Sequence, residues 1–430
     1  MSPRKKWITS AIMVSCNTKE ILYNISKRNP TCQTAKTQYT RYCKILNKVI
    51  KDAKYKFDYN TVKECGNNPK HLWNIINIKL GKNKVQSNRI TNVYNQDNEK
   101  IEDQKEIANV MNKYFCEVGS ELSKKIKQLT NKSINMPKPN RASMFLEPTD
   151  AFEINLIINN MKNKAGGVDS INTKTLKTLA NYIIIPLEHV INLCIEKSIW
   201  PNNLKIAEVV PIYKAGKKSC ISNYRPISLI SNIAKIFEKI VYNRLYKFLQ
   251  KHKILSDLQF GFVKNKGTTD ALSYISQRIY ENLDKSKPMI ATFLDLSKAF
   301  DTVNHDILLR KLNKYGIRGN VLDLFASYLF NRRQKVRLQN YTSKYRKISC
   351  GVPQGTILGP LLFILYVNEL LVDMPKGSIL SYADDTVIIS SDNTWSMAQE
   401  KMNQHLYTVA VWLALNKLSL NIQKTKYVTL

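Results

Sequence analysis

Two adjacent aspartates inside a β-leaning apolar run leave this chain few ways to fold. Asp384 and Asp385 follow Ile379 and Leu380 and precede Val387, Ile388 and Ile389. Burying two neighbouring carboxylates is costly, and each raises the pKa of the other. Two short strands around the pair, joined as a hairpin over 379–390, resolve the conflict, because the turn presents the acids while the flanks stay apolar. A third carboxylate, Asp295, stands at the C-terminal end of the apolar run Met289–Leu296. If that run lies beside the hairpin, three carboxylates meet, and bound cations offset their repulsion. Such a triad suits two Mg²⁺ ions about 3.5–4 Å apart, the arrangement for in-line phosphoryl displacement, with Mn²⁺ as the alternative. The competing reading is a plain polar turn, since Asp-Asp also suits turns.

Charge narrows the partner. Lys and Arg number 66 against 33 for Asp and Glu, a net charge of +33 and a pI near 9.7. The natural partner of such a field is a polyanion, nucleic acid first. A Lys-, Asn- and Ile-rich composition contributes, but does not explain the shortage of acids. With 430 residues, 43% of them hydrophobic, the chain has enough apolar material for a sizeable core. Its eight cysteines show neither C-x-x-C nor zinc spacing, which points to a reducing, intracellular setting in cytoplasm or nucleus rather than to secretion. The run Pro3–Lys6 is a weak basic cluster, equally a solvated terminus. The apolar stretch after it is short and broken by Thr9, Ser10 and Ser15, so it makes a poor signal peptide. The longest uninterrupted apolar stretch, 357–367, is too short to span a bilayer, and no membrane role is expected.

The patterning suggests two regions. Residues 1–140 are basic and mostly helical, with helical spacing at Tyr39–Ala53, Leu72–Leu80 and Ile107–Ile126. The polar, proline-bearing segment 131–141 reads as a linker. Residues 141–430 are denser. Asp150 and Glu153 form a capping-box pattern before Ile154, and Gly166 and Gly167 stop that helix. Further helices are expected around Leu187–Ile195, Ile233–Leu245 and 395–415. Strands are expected at 207–213, 289–296 and 426–430, with a hairpin pair at 336–338 and 345–349. The mixed order and the absence of an internal repeat indicate an α+β fold.

The motifs around the carboxylates resemble those of a known family. YADD (382–385) and FLDLSKAFD (293–301) are similar to the catalytic palm motifs of reverse transcriptases, most closely those of non-LTR, LINE-type, jockey-like retrotransposons. The resemblance continues through NYRPISL (223–229), QFGF (259–262), GVPQGTILGP (351–360), LSLN (418–421) and KTK (424–426). Weaker matches, such as WNIIN (73–77) and NKYF (112–115), extend it into the first 140 residues, which resemble the segment between endonuclease and polymerase in these elements.

The resemblance implies a right-hand polymerase with fingers and palm over 141–430, its core motifs within 194–430. It implies RNA-directed DNA synthesis from dNTPs on an RNA template and a DNA primer or target. Asp295, Asp384 and Asp385 would be the catalytic metal ligands. Lys214 and Arg225 would face the nucleotide triphosphate from the fingers, or else the template phosphates. Phe300 would be the steric gate against a ribose 2′-OH, or an ordinary core aromatic. Gln354 and Gly355 would belong to the nucleotide-pocket loop, where glycines let the backbone approach closely and Pro360 also suits a helix first turn. Lys264 and Lys266 would lie on the template. Lys424 would be a general acid toward pyrophosphate, or a surface lysine. His305 reads as packing or capping. Asp301 is ambiguous by itself: RNA-copying polymerases place an acid near this position, but Phe300 before it and YADD rather than Gly-Asp-Asp favour DNA synthesis.

After Lys426 the family continues with a primer-gripping hairpin and a helical thumb, which this sequence lacks. Two further readings follow: a truncated copy that binds RNA without polymerising, and a polymerase that copies RNA into RNA.

Overall fold

The computed structural model describes residues 7–66, 69–80, 90–94, 99–126, 136, 139–163, 166–375 and 377–430. The basic cluster Pro3–Lys6 and most of the linker segment 131–141 lie outside these residues. Contacts divide the chain into two compact units, Met1–Arg89 and Ile90–Leu430. That division falls well before the boundary near residue 140 expected from the sequence.

The first unit contains α1 (Ser10–Arg28), α2 (Gln33–Glu64) and α3 (Pro69–Lys79). Thr9 caps α1, its hydroxyl accepting from the Ile12 amide at 3.3 Å. A short connection folds α2 back on α1 as a helical hairpin whose interior is thin, with Ile12 and Leu46 buried. Tyr55 and Tyr59 stack at 6.4 Å on the exposed side of α2.

The second unit opens with a small antiparallel pair, β1 (Val93–Tyr94) and β2 (Lys100–Ile101). Then come α4 (Gln104–Lys125), α5 (Ala151–Asn160), α6 (Thr173–Glu196), β3 (Ile206–Tyr213), β4 (Tyr224–Leu229), α7 (Asn232–Lys251), α8 (Thr268–Leu283) and β5 (Met289–Leu294). They are followed by α9 (His305–Lys314), α10 (Asn320–Leu329), β6 (Arg333–Leu338), β7 (Tyr341–Thr342), β8 (Arg346–Lys347) and α11 (Leu358–Asp373). The chain closes with β9 (Ile379–Tyr382), β10 (Asp385–Ser391), α12 (Trp395–Leu415) and β11 (Lys426–Thr429). The expected α+β class holds.

Two sheets organise this unit. One has the order β11-β5-β10-β9, all antiparallel; the other runs β4-β3-β6-β7, with β8 also on β6. In the second sheet β3 and β6 pair parallel, although β3 and β4 are antiparallel. The strand pair expected near 336–349 forms as β6 with β8 in the register Arg333–Lys347, displaced toward the start of β6, while β7 takes its far end. Helix α4 explains the early unit boundary. Asn112 is fully buried; its side-chain nitrogen donates to the carbonyls of Gln334 (3.3 Å) and Lys344 (2.8 Å), and its side-chain oxygen accepts from the Gln334 carboxamide at 3.1 Å. These bonds tie the helix to the second sheet.

Local chemistry sets several helix ends. Asp150 caps α5 by accepting from the Glu153 amide at 2.7 Å. Glu153 does not complete the capping box. It accepts from Thr149 and pairs with Arg244 at 2.9 Å, tying α5 to α7. Helix α5 stops at Asn160, before the glycines expected to end it. The helix expected around Leu187–Ile195 begins much earlier and runs through Pro186. By length and composition alone, α6 could cross a membrane, a feature that a count of uninterrupted apolar residues misses. One stripe of it, Leu176, Ala180, Ile184 and Ile191, joins the main core.

That core is centred on α11, which is apolar on every side and accordingly buried on every side. Inside it, the ammonium of Lys311 is ion-paired with the carboxylate of Glu369, donates to the Tyr366 carbonyl at 2.7 Å and lies over the Tyr366 and Trp412 rings. Tyr315 donates to the other Glu369 oxygen at 3.0 Å. Burial pushes Lys311 down to about 8 and Glu369 upward. Removing one partner of such a pair leaves an uncompensated buried group. Lys311→Met is therefore expected to cost about 3 kcal/mol in urea unfolding at pH 7, with Glu369→Leu in the same chain recovering most of the loss. A cost below about 1 kcal/mol for the single change would contradict this role for the pair.

Candidate active site

The carboxylates are assembled by strand register. Tyr382 pairs with Asp385 across β9 and β10, leaving Ala383 and Asp384 as a two-residue turn. Ala383 sits at φ 59°, a left-handed value that β-hairpin turns of this length often require and that glycine adopts more easily. On its other side β10 pairs with β5, ending at Thr386 opposite Leu294. The next residue outward on each strand is Asp385 and Asp295. The hairpin and the third carboxylate therefore meet at one end of the sheet, as the sequence suggests.

Asp295 is held by the segment ahead of β11. Asn421 donates its backbone amide to the Asp295 carbonyl at 2.8 Å and its side-chain amide to Oδ2 at 3.0 Å. The ammonium of Lys424 stands 3.7 Å from the same oxygen. The hairpin turn is held from the opposite side by QFGF: the Gln259 carboxamide oxygen accepts from the Ala383 amide at 3.0 Å and from the Gly261 amide at 2.9 Å.

The electrostatics follow from this crowding. Burial, then Asp384, then Asp295 push the Asp385 carboxyl above the usual range, against the pull of Lys214 and Arg225. Lys214 follows β3, Arg225 lies on β4, and both are exposed. Lys298 completes the basic rim. It donates to the carbonyls of Ser222 (3.0 Å) and Tyr224 (3.3 Å), and burial, joined by Lys214, Lys424 and Arg225, pushes it down against the pull of Asp301. Among the described residues no three His, Cys, Asp or Glu side chains converge closely enough to enclose a metal ion by themselves. The donor chemistry still fits Mg²⁺ or Mn²⁺. Hard cations of this kind are bound through one or two carboxylates, with water and substrate phosphate oxygens completing the shell.

The 351–360 loop lies against the Phe300–Asp301 segment, Val352 donating its amide to the Phe300 carbonyl at 2.8 Å. The backbone amide of Ser228 donates to the Gln354 carbonyl at 2.7 Å, which seats the loop on β4. Gly355, at φ 104°, lies so close to the Ser228 carbonyl that a Cβ would stand 3.0 Å from it. Gln354 donates its side-chain amide to Asp301 Oδ1 at 3.0 Å. Phe300 is half-buried, stacked on Phe363 at 4.4 Å and edge-on to Phe262 at 6.1 Å. Pro360 falls in the first turn of α11. His305 packs edge-on to Phe330 and bonds the Gly351 carbonyl at 2.8 Å; the cap of α9 is Asn304.

Lys264 and Lys266 are not part of the carboxylate group. Lys264 lies over the Tyr246 ring at 4.8 Å, while Lys266 donates to the Asp257 carbonyl at 2.6 Å and lies over Phe260. Asn421, Lys298 and Gln259 have no role that the sequence alone reveals, although each stands within a motif named above. The signal for Asn421 is a polar residue closing an apolar strand-like run next to Lys424.

Asp301 gives a pH signature. Burial pushes its carboxyl from 3.8 up to about 6, against the Gln354 hydrogen bond and Lys298. The folded chain thus keeps this proton up to about pH 6, while the unfolded chain releases it near 4, so the group's contribution to stability falls as pH rises through that window. Asp301→Asn keeps the acceptor for Gln354 and removes the titration. It is expected to gain on the wild-type chain by about 1–2 kcal/mol between pH 4 and pH 8 in urea unfolding. A stability difference independent of pH would contradict this assignment.

Residues 212–429 match the family described as reverse transcriptase (RNA-dependent DNA polymerase). Among curated proteins, the chain is 32% identical over 306 residues to a probable RNA-directed DNA polymerase from transposon BS of Drosophila melanogaster, covering 68% of this chain and 33% of that protein. It is 28% identical to the RNA-directed DNA polymerase from mobile element jockey of the same organism, covering 64% and 31%. The chain thus spans about a third of the length of these relatives. Among solved structures, telomerase from Candida tropicalis with a fragment of telomeric RNA aligns at TM-score 0.40 and 11% identity, over 60% of this chain and 45% of that one. With a match that covers half of its length and contains all three carboxylates, the chain belongs to the reverse transcriptase family.

Proposed function

We propose that this chain carries the nucleotidyl-transfer site of an RNA-directed DNA polymerase of a non-LTR mobile element, adding dNTPs to a primer 3′-OH on an RNA template. One observation carries the reading: strand register brings Asp295 to the Asp384–Asp385 turn, facing exposed Lys214 and Arg225. Divalent cations, on which reverse transcriptases generally depend, would be held by the three aspartates and supply activation of the 3′-hydroxyl and neutralisation of the leaving pyrophosphate.

The chain's own residues do the rest. Arg225 and Lys214 offer fixed positive charge to a triphosphate, the guanidinium as a bidentate donor. Asn421 keeps the Asp295 carboxylate aimed at the turn. Lys424, 3.7 Å from Asp295 Oδ2, would give a proton to the leaving group. Gln354, Gly355 and Phe300 form the wall that the base and sugar would meet, and the edge of Phe300 is the candidate barrier to a 2′-hydroxyl. Lys264 is a candidate template contact, and the net charge of +33 suits binding of RNA and primer along the surface. An intracellular setting belongs to this reading, and the eight free thiols support it.

Primer extension tests the proposal, with an RNA template, a DNA primer, dNTPs and Mg²⁺. The wild-type chain should extend the primer, and the Asp384→Asn, Asp385→Asn double variant should lose at least about a thousandfold in rate while retaining salt-sensitive RNA binding. Binding without extension by the wild-type chain would favour an RNA-binding protein that does not polymerise. Equal extension by both chains would remove these carboxylates from the chemistry.

A further inference from the structure

The turn that carries Asp384 and Asp385 is not held by its own strands alone. Its first residue, Ala383, is buried and adopts φ 59°, where an L side chain is strained. In a two-residue hairpin loop the amide of that residue has no partner in the strand ladder, and buried away from water it needs an acceptor. The acceptor comes from a part of the chain more than a hundred residues earlier. The segment around Gln259 lies along β9: Phe260 donates its amide to the Ser381 carbonyl at 2.8 Å, Ser381 donates to the Leu258 carbonyl at 2.9 Å, and Gln259 bridges Ser381 in parallel. This docking delivers the Gln259 side chain, 1% exposed, under the turn. Its oxygen accepts from both Gly261 and Ala383. Its amide nitrogen is buried and finds no hydrogen-bond partner among the described residues. Two donors facing one end of the carboxamide fix which end is oxygen, so the side chain's use here is as an acceptor.

Gly261 closes the contact. A Cβ on it would stand 2.2 Å from the Ala383 nitrogen and 2.9 Å from its Cα and Cβ. The backbone of QFGF therefore touches the turn with no space between them. The next residue, Phe262, meets Phe300 edge-to-face, so one short segment contacts both the acidic turn and the Phe300 ring.

We propose that Gln259 is a positioning residue: through its carboxamide oxygen and the close approach of Gly261, it sets the left-handed turn at Ala383 and so the aim of Asp384 and Asp385 before any cation or nucleotide arrives. This rests on the reading of those aspartates as cation ligands. A carboxylate pair aimed wrongly by a fraction of an ångström still folds, but binds cations weakly and turns over slowly.

The test compares full-length chains. Gln259→Met keeps the side-chain volume and removes the acceptor. It is expected to weaken Mn²⁺ binding, followed by electron paramagnetic resonance titration without nucleotide, by about tenfold or more, and to lower kcat for primer extension about 10- to 100-fold. The KM for dNTP should stay within about threefold. Adding Ala383→Gly, which relieves the strain that Gln259 holds, should restore about tenfold of the lost kcat. A purely structural role for Gln259 predicts reduced folded fraction, unchanged Mn²⁺ affinity per folded chain and no rescue; that result would overturn the proposal. If Gln259→Met does not fold, Gly261→Ala perturbs the same turn from the other face and must weaken Mn²⁺ binding equally, with unchanged affinity again overturning the proposal. The Asp384→Asn, Asp385→Asn chain separates the two levels. If it binds Mn²⁺ and extends primers like wild type, the ligand reading fails. If it loses both while Gln259→Met and Gly261→Ala match wild type, only the positioning role fails.

Discussion

Six consecutive residue pairs, from Ser391–Met289 to Thr386–Leu294, lock β10 to β5, and one slip along either strand would turn every side chain to the other face of the sheet. With this register Asp295 comes level with Asp385. The other elements support that alignment. Helix α12 packs on β10 and β5, α11 fills the core behind, and β11 covers the outer edge of β5. Ile388 and Leu294 are buried between them, so the acidic end is anchored by an apolar body that is expensive to disturb.

Charge is then distributed around that end with a clear asymmetry. Asp384 and Asp295 stand close enough to raise the proton affinity of Asp385, and Lys214, Arg225, Lys298 and Lys424 form the basic rim. Side chains balance this charge only in part. Lys424 and Asn421 satisfy one Asp295 oxygen, whereas Asp385 at the turn carries the raised proton affinity. Such a site favours ligands that bring both signs, cations for the aspartates and phosphate oxygens for the basic rim. A metal-bound nucleoside triphosphate has that character. The same division accounts for carboxylates that share a field without closing into a cage of their own.

Much of this is legible in the sequence, and the reasons are local. The acidic hairpin is readable because two charges interrupt an apolar run; α12 falls on the expected span 395–415, where Thr394 caps it. What stays hidden depends on partners distant in the chain. The parallel pairing of β3 with β6 brings together segments separated by most of the helical core, and no periodicity announces it. The burial of Asn112 on α4 depends on Gln334 and Lys344, far along the chain. The helix expected at Leu187–Ile195 extends back through Pro186 to Thr173. Gln259, Asn421 and Lys298 are legible as members of motifs but not as parts, since their work is to hold the turn, Asp295 and the 222–224 backbone, which only the fold brings within reach.

Cation binding where Asp295 meets the Asp384–Asp385 turn underlies every functional role assigned above. Iron-directed cleavage probes it on the intact chain. Fe²⁺ replaces Mg²⁺ at hard-oxygen sites and, with ascorbate and peroxide, cuts the backbone nearby. Cuts are expected close to residue 295 and to residues 384–385, suppressed by excess Mg²⁺ and absent from the Asp384→Asn, Asp385→Asn chain. Cuts elsewhere that Mg²⁺ suppresses, with none at these two positions, would contradict cation binding at the turn.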